Sequence, residues 1–185
     1  MTDTAADSGS ITGLRTAALV SFLFNTGLRI SEALAVRPRD LQDRGDMQVV
    51  NVQRGKGGRQ GISVRLGDRG QLAHWMAVRA GLGVSDDAPL FCTISRGDRQ
   101  EPGSSLDRND VRRCIKALAK RTGIHKRVDC HCMRHSHAVH LYAELGQPVA
   151  VVQDQLRHVN PRTTDTYLKR LGCSHTLDLL AGLST

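Results

Sequence analysis

The segment Cys130–Tyr167, CHCMRHSHAVHLYAELGQPVAVVQDQLRHVNPRTTDTY, constrains the fold and the chemistry of this chain more than any other. It concentrates histidines and arginines ahead of a tyrosine, with few acidic residues beside them. His131 and Arg134 are three residues apart, so on a helix they lie on one face. Cations grouped with a phenol in this way are typical of a site for a phosphodiester, with the tyrosine as the attacking group.

The chain as a whole is basic. Its 185 residues include 26 Lys and Arg against 18 Asp and Glu, a formal net charge of +8. A charge of this size favours a polyanionic partner, and nucleic acid first, over an ordinary soluble domain. Aromatic residues make up only 3% of the chain, which disfavours the stacking platforms of single-strand binders. The composition therefore predicts double-stranded DNA as the partner.

The cysteines and the apolar runs indicate the compartment. The chain has 5 cysteines, an odd number without a disulfide framework, which is typical of a reducing cytosol. The N-terminal residues lack the pattern of a signal peptide. The longest apolar run, near Ala17–Phe24, is too short to span a bilayer. We expect a cytoplasmic, nucleoid-associated protein without a membrane partner.

Apolar periodicity predicts one mainly α domain with a small antiparallel β-sheet, an α+β fold. Residues 1–10 are expected to be a disordered tail, and residues 11–185 to form the domain. The predicted strands are 47–52 and 61–66, which form a hairpin, and a short strand at 89–92. The predicted helices are 11–25, 29–35, 71–80, one around His131, 149–156 and 177–183. A further long helix is expected to be capped by Asp107 or Asn109 and to run to Thr122, with a buried stripe of Val111, Cys114, Ile115 and Leu118.

Two basic residues outside the opening segment are candidates for chemistry. Arg29 begins a helix, where a cation is disfavoured unless it has a partner. Glu32, one turn later, is the structural partner, and a bound anion is the functional one. Lys56, in the glycine-rich hairpin turn, is the only lysine before Lys116 in an arginine-rich chain. Lysine gives up its proton near neutral pH when its environment lowers its pKa, whereas arginine does not. Lys56 is therefore either a proton donor or a solvated turn residue.

The two tyrosines compete as nucleophile. Tyr142 lies within an apolar helix, where a core role is expected, whereas Tyr167 has polar and basic neighbours. Tyrosine is a weak nucleophile at neutral pH, so a neighbouring base or a dense positive field must activate it. The sequence therefore favours Tyr167 as the nucleophile.

The cysteines and histidines around His131 also raise the possibility of a zinc site. Adjacent Cys130, His131 and Cys132 do not easily converge on one tetrahedral ion, and no second pair of ligands has suitable spacing. We therefore expect no metal site. Packing or helix-surface roles are expected for the other histidines of this helix, namely His135, His137 and His140.

Five segments resemble, in order, the motifs of the tyrosine recombinase (phage integrase) catalytic domain. They are Asn25–Leu34, Arg54–Arg59, His131–His135, Leu156–His158 and Thr163–Tyr167. The resemblance implies that fold and a site-specific recombinase or integrase, which cleaves and rejoins DNA strands through a 3′-phosphotyrosine intermediate. It implies no metal or other cofactor, and a homotetramer on double-stranded DNA. These motifs specify neither the target site nor any accessory DNA-bending protein.

The resemblance also implies roles for six residues. Three would bind the scissile phosphate, namely Arg29, Arg134 and His158. Three would transfer protons or attack, namely Lys56 as the acid for the leaving 5′ oxygen, His131 as an aid to proton transfer, and Tyr167 as the nucleophile.

The sequence departs from the family pattern in several places. Arg157 stands where the family usually has glycine, and it either adds a phosphate contact or crowds the site. His137 stands where an aromatic residue is common, and Asn160-Pro161 alters the turn before Tyr167. The family's usual N-terminal DNA-clamping domain has no counterpart, which suggests either a catalytic fragment or a minimal member. Two other functions remain compatible with the motifs: a type IB topoisomerase and a DNA-binding regulator without turnover.

Overall fold

The computed structural model describes residues 10–45, 47–52, 61–67, 69–94, 102–125 and 128–157. Within these ranges the chain is mainly helical and has one three-stranded antiparallel sheet, as the sequence predicts. The helices are α1 (Ile11–Thr26), α2 (Ile30–Ala33), α3 (Gly70–Gly81), α4 (Arg108–Arg121), α5 (Cys130–Val139) and α6 (Val149–Leu156). The strands are β1 (Leu41–Arg44), β2 (Met47–Val52) and β3 (Gly61–Arg65). A 3₁₀ turn (Pro38–Asp40) precedes β1, and a π-helical turn (His140–Glu144) follows α5.

Helix α1 is the centre of the domain. It packs against α3, α4, α5 and β3, so that side chains around most of its circumference are buried. Phe22 is fully buried, and its ring lies 5.4 Å from that of Phe91 in a tilted arrangement. Burial of such apolar area is the main stabilising term in folding. Because α1 carries the core, it also fixes the position of the residues that follow its C-terminal end.

The sheet is a meander in the order β1-β2-β3. Val49 pairs with Val64 across the predicted hairpin, and Leu41 pairs with Val50 on the other side. Strand β1 was not predicted, because its residues after Leu41 are polar and exposed and so lack an apolar alternation. Pairing with β2, rather than burial of its own side chains, makes this segment a strand.

Several local predictions were wrong. Residues 89–92 form no strand, and only an isolated bridge joins Cys92 to Ser105. The predicted helix at 29–35 is a single turn, Ile30–Ala33. Cys114 is exposed, because it lies on the outer side of α4. Ser10, expected in a disordered tail, is instead the N-cap of α1, and its side chain accepts the Gly13 N–H at 3.0 Å.

Other predictions fall outside the described residues, namely the rest of the tail at 1–9 and the helix at 177–183. In the part of the chain that the structure describes, no helix has the length and apolar character needed to cross a membrane.

Helix α4 begins at a well-formed cap. The Asp107 side chain accepts the backbone N–H groups of Asn109 at 2.8 Å and Asp110 at 3.1 Å. These are two of the N–H groups that a helix cannot satisfy internally. The cap therefore fixes the residue at which the helix starts. The start in turn determines which side of the helix faces solvent.

Loss of this cap has a measurable cost. We expect Asp107→Ala to lower the free energy of unfolding by about 1 kcal/mol, the usual effect of removing an N-cap side chain. Urea denaturation, followed by the fluorescence of the single tryptophan, Trp75, measures the change. Asp154→Ala is the control, because Asp154 is exposed near the end of α6 and caps no helix start. Equal stability of the Asp107 variant and the wild type would contradict the assigned cap.

Candidate active site

The candidate site begins at the C-terminal end of α1. Gly27 ends the helix in the left-handed conformation, φ +63, and its N–H donates to the Leu23 carbonyl. The last carbonyls of a helix need partners from elsewhere in the fold. Strand β3 and the residue after it supply two of them: Ser63 Oγ donates to the Thr26 carbonyl at 2.8 Å, and the Leu66 N–H donates to the Asn25 carbonyl at 3.0 Å. The loop that leads to Arg29 is therefore held against the sheet.

Arg134 joins this loop to a second helix end. Its guanidinium donates from Nη1 to the Gly27 carbonyl at 2.7 Å and from Nη2 to the Leu156 carbonyl. The side chain is buried, with 3% exposure. Leu156 is the last residue of α6, and Arg134 also offsets the negative end of that helix dipole. A single buried cation thus fastens the loop before Arg29 to the residues immediately before His158.

Arg29 is the N-cap of α2 and has the partner that its position requires. Its backbone N–H donates to Glu32 Oε2 at 2.8 Å, and its Nη1 donates to Glu32 Oε1 at 3.0 Å. Glu32 is thus the structural partner that the sequence indicated. The Arg29 side chain nevertheless keeps 36% exposure, so its guanidinium lies at the surface of the site rather than inside the core.

Glu32 is almost completely buried, at 2% exposure. Burial raises the pKa of its carboxyl group, but the Arg29 N–H and the charges of Arg157 and Arg29 outweigh burial and hold the pKa below its ordinary value. The carboxylate is therefore ionised at neutral pH, and it binds Arg29 from one side and Arg157 Nη2, at 2.7 Å, from the other.

His131 and Arg134 lie one turn apart on α5, but their exposure differs. His131 is exposed in the first turn, where its N–H donates to Asp129 Oδ1 at 2.9 Å, whereas Arg134 is buried. The helix enters the protein from the surface and packs on α1, which explains the change over a single turn. His131 is thus accessible to a substrate, as a residue that assists proton transfer must be.

The other three predicted site residues lie outside the described residues, namely Lys56, His158 and Tyr167. The structure places their neighbours: β2 ends at Val52 and β3 begins at Gly61, on either side of Lys56, and α6 ends directly before Arg157 and His158. Arg29 and the residue before His158 are therefore brought together, through Arg134 and through Glu32.

His137 has the packing role that the sequence predicted. It is fully buried, and a Cβ atom at Gly27 would lie 2.5 Å from its Cδ2. Burial lowers the pKa of this imidazole to about 4. Its Nε2 lies 3.2 Å from Gln155 Nε2, an amide nitrogen that can only donate. Gly27 is required both for its positive φ and for the space that the ring occupies.

Gln155 is a positioning residue that the sequence analysis missed. Its amide accepts the Val64 N–H at 3.0 Å and donates to the Val64 carbonyl at 2.5 Å. It therefore ties α6 to β3 beside the end of α1. A glutamine within a short amphipathic helix carries no sequence signal for this role, because only the tertiary fold brings β3 next to it.

Other residues near the site have packing or helix-surface roles. Tyr142 is half-buried and packs against the small core cluster of Ala138, Leu141, Val152 and Leu156. His140 Nδ1 lies 2.6 Å from Glu144 Oε2, one turn later. Within the described ranges, no three His, Cys, Asp or Glu side chains form a group suited to a metal ion.

Helix α4 presents a basic face that the sequence analysis did not assign. Its inner side is apolar and buried, with Val111, Ile115 and Leu118. Its outer side exposes six cations along 14 residues, namely Arg108, Arg112, Arg113, Lys116, Lys120 and Arg121. A helix with such a face is typical of contact with a polyanion.

Comparison with known proteins identifies the family. The model of the phage integrase family matches residues 2–171, nearly the whole chain. The chain belongs to the phage integrase family. This confirms the resemblance that the five ordered motifs indicated.

Curated relatives of this phage integrase family member are named tyrosine recombinases. XerC of Pelobacter propionicus is 34% identical over 155 residues, which cover 84% of this chain and 47% of that protein. XerD of Corynebacterium glutamicum is 32% identical, covering 88% of this chain and 50% of that protein. The chain thus spans about half the length of these relatives.

Solved structures support the same fold. XerA recombinase superposes with a TM-score of 0.70 at 26% identity, covering 93% of this chain and 60% of XerA. XerH site-specific recombinase, in a pre-cleavage complex with its difH substrate, superposes with a TM-score of 0.71 at 23% identity, covering 86% of this chain and 44% of XerH. The predicted tyrosine recombinase catalytic-domain fold is confirmed.

The buried, neutral His137 makes stability depend on pH. Its folded pKa of about 4 lies below the ordinary value of 6.5, so the unfolded state binds more protons between these two values. Its contribution to stability is therefore complete above pH 6.5 and is lost as the pH falls toward 4. Between pH 7.5 and 5.0 we expect the free energy of unfolding to fall by about 2 kcal/mol from this group.

Urea denaturation at the two pH values tests this expectation. His137→Phe should show a smaller loss of stability on acidification, whatever its absolute stability, because the titrating ring is absent. His74→Asn is the matched control, since His74 is an exposed histidine on α3. The interpretation is wrong if the Phe variant loses as much stability between the two pH values as the wild type.

Proposed function

We propose that this chain is the catalytic domain of a tyrosine-type site-specific DNA recombinase or integrase. The observation that carries the proposal is the double hydrogen bond of Arg134 to the Gly27 and Leu156 carbonyls. It holds the segment of Arg29 beside the segment that leads to His158. The tyrosine recombinases among its relatives, and the structure of XerH bound to its DNA substrate, favour this function over a topoisomerase.

The proposed reaction is a transesterification without a net change in the number of phosphodiester bonds. The Tyr167 oxygen attacks the scissile phosphorus, the P–Oη bond forms and the P–O5′ bond breaks. The phenol proton passes to a base, assisted by His131, and Lys56 protonates the departing 5′ oxygen. Attack by a 5′ hydroxyl of another strand reverses these steps. The phosphotyrosine bond conserves the energy, so the reaction needs no cofactor.

Positive charge would stabilise the transition state. Negative charge increases on the non-bridging oxygens as the five-coordinate phosphorus forms, and preorganised donors stabilise it most where water is excluded. Arg29, at the surface of the site, would donate to the phosphate, and His158 would donate to a further oxygen. Arg134 is buried and both of its Nη groups donate to main-chain carbonyls, so in this arrangement it would contribute positive charge close to the phosphate. The net charge of +8 adds a general attraction for the DNA backbone.

The basic face of α4 is proposed to lie against the duplex. Its exposed cations other than Arg113, which pairs with Asp110, would bind phosphates or base edges beside the reacting strand. Four protomers on two duplexes are the assembly proposed for strand exchange, in a protein associated with the nucleoid.

Covalent trapping tests the function. Incubated with a library of nicked duplexes in EDTA, the wild type is expected to form an SDS-resistant protein–DNA adduct, since the cut fragment diffuses away. Tyr167→Phe should form none, because only the attacking hydroxyl is removed. Tyr142→Phe is the matched control and should retain the adduct, because Tyr142 packs against the core.

Each alternative has its own outcome in these assays. An adduct that persists in Tyr167→Phe would refute the assigned nucleophile. Relaxation of supercoiled plasmid without any recombinant product would indicate a topoisomerase. Salt-sensitive DNA binding by a folded wild type, without an adduct, would favour either a regulator or a missing clamp domain. Repeating the assay with a supplied N-terminal domain would separate these two.

The α4 face can be tested by salt dependence. Replacing Lys116 and Lys120 by Gln should weaken DNA binding and reduce the slope of log K against log salt by about 2, if each lysine binds one phosphate. Filter binding or anisotropy between low and moderate salt measures the slope. Arg69→Gln is the control, since Arg69 already pairs with Asp43 at 3.0 Å. An unchanged slope in the double variant would place the DNA elsewhere.

A further inference from the structure

Arg157 has a left-handed backbone conformation that is unfavourable for a residue with a side chain. It is the C-cap of α6 with φ 52 and ψ 47, and it is the only non-glycine residue with positive φ in the described part of the chain. Glycine adopts this left-handed conformation without steric cost, and it is the usual residue at such helix ends. An arginine at this position therefore needs a compensating interaction.

The Arg157 side chain is held in a defined place. Its Nη2 donates to Glu32 Oε2 at 2.7 Å, and the two side chains have exposures of only 17% and 2%. Its aliphatic part lies over Gly61, where a Cβ atom would come within 2.5 Å of Arg157 Cδ. A buried ion pair with this packing is a specific contact, unlike an exposed pair that solvent screens.

The contact changes the charge around Arg29. Glu32 accepts hydrogen bonds from Arg29 and Arg157 at once, so two guanidinium groups share one carboxylate. The three groups together carry a net charge of +1. With glycine at position 157, Arg29 and Glu32 would neutralise each other, and an approaching phosphate would meet no net charge from this pair.

We infer that Arg157 is a positioning residue, which offsets the charge of Glu32 and so leaves the positive charge of Arg29 available to the scissile phosphate. It acts through Glu32 rather than by contacting the phosphate or by crowding the site. The same contact fixes the residue before His158 against α2. This inference rests on the proposed function, in which Arg29 is a phosphate ligand.

Anion binding distinguishes a role of Arg157 through Glu32 from direct contact with the phosphate and from crowding of the site. The probe is orthovanadate, which mimics five-coordinate phosphorus, and its binding is followed by vanadium NMR. Arg157→Gln should bind vanadate about tenfold more weakly than the wild type, the effect of losing one nearby charge at an effective dielectric constant of about 20. The double variant Glu32→Gln/Arg157→Gln has the same net charge as the wild type and should bind vanadate more tightly than Arg157→Gln, because the charge that Arg157 offsets is absent.

Arg157→Gly keeps the test valid if the Gln variant does not fold. Glycine suits the backbone conformation, so the same tenfold loss in this variant cannot come from strain. Glu32→Gln alone should bind vanadate more tightly than the wild type, because it has one more net positive charge. Thermal melts of all variants identify any general loss of structure.

Three results would overturn the inference. A double variant that binds as weakly as Arg157→Gln would mean that offsetting the charge of Glu32 does not account for the effect of Arg157. Wild-type affinity in both Arg157→Gln and Arg157→Gly would mean that the charge has no effect. A wild type that binds no vanadate would mean that Arg29 does not form an anion site. The proposed function fails in a different way. In that case the variants show the expected vanadate affinities, but the wild type forms no covalent DNA adduct.

Discussion

The arrangement of the site depends on one buried cation that bridges two helix ends. Arg134 donates to the main-chain carbonyls of Gly27 and Leu156, which are far apart in the sequence. A charged group is costly to bury unless its hydrogen bonds are made, and carbonyls at helix ends are acceptors that need a donor. The buried guanidinium therefore gains the acceptors that it needs, and the two carbonyls gain a donor. Without it, the carbonyls of Gly27 and Leu156 would lose the shared donor that joins the end of α1 to the end of α6.

A second contact lies beside the first, and its central buried group is an anion. Glu32 is buried between Arg29 and Arg157, and its ionised state depends on both. The two contacts differ in chemistry: one binds a cation to neutral carbonyls, and the other binds an anion to cations. Together they place the loop of Arg29 against the last turn of α6, with His137 and Gln155 filling the space next to them. The site is thus built mainly from groups that hold one another in place.

Much of this was predictable from the sequence, and the failures have physical causes. The long helices and the hairpin were predicted because their apolar residues recur with the period of one element. Strand β1 was missed because pairing with the neighbouring strand β2, rather than an apolar alternation, makes it a strand. The segment at 89–92 was wrongly predicted as a strand, because only Cys92 forms a bridge. Of the site, the motifs predicted the residues, but not that Glu32 would be shared by two arginines. Gln155 was missed for the same reason: its partners on β3 are remote in sequence.

The link between Gln155 and β3 also affects how the protein behaves at high concentration. Among the described strands, β3 lies at an edge of the sheet, and an edge strand offers unpaired main-chain groups to a strand of another molecule. The Gln155 amide occupies both the N–H and the carbonyl of Val64, as the backbone of a neighbouring strand would. A side chain from α6 thereby closes the middle of the exposed edge. The contact that aligns the site thus also leaves the N–H and the carbonyl of Val64 with no free capacity for pairing with another strand.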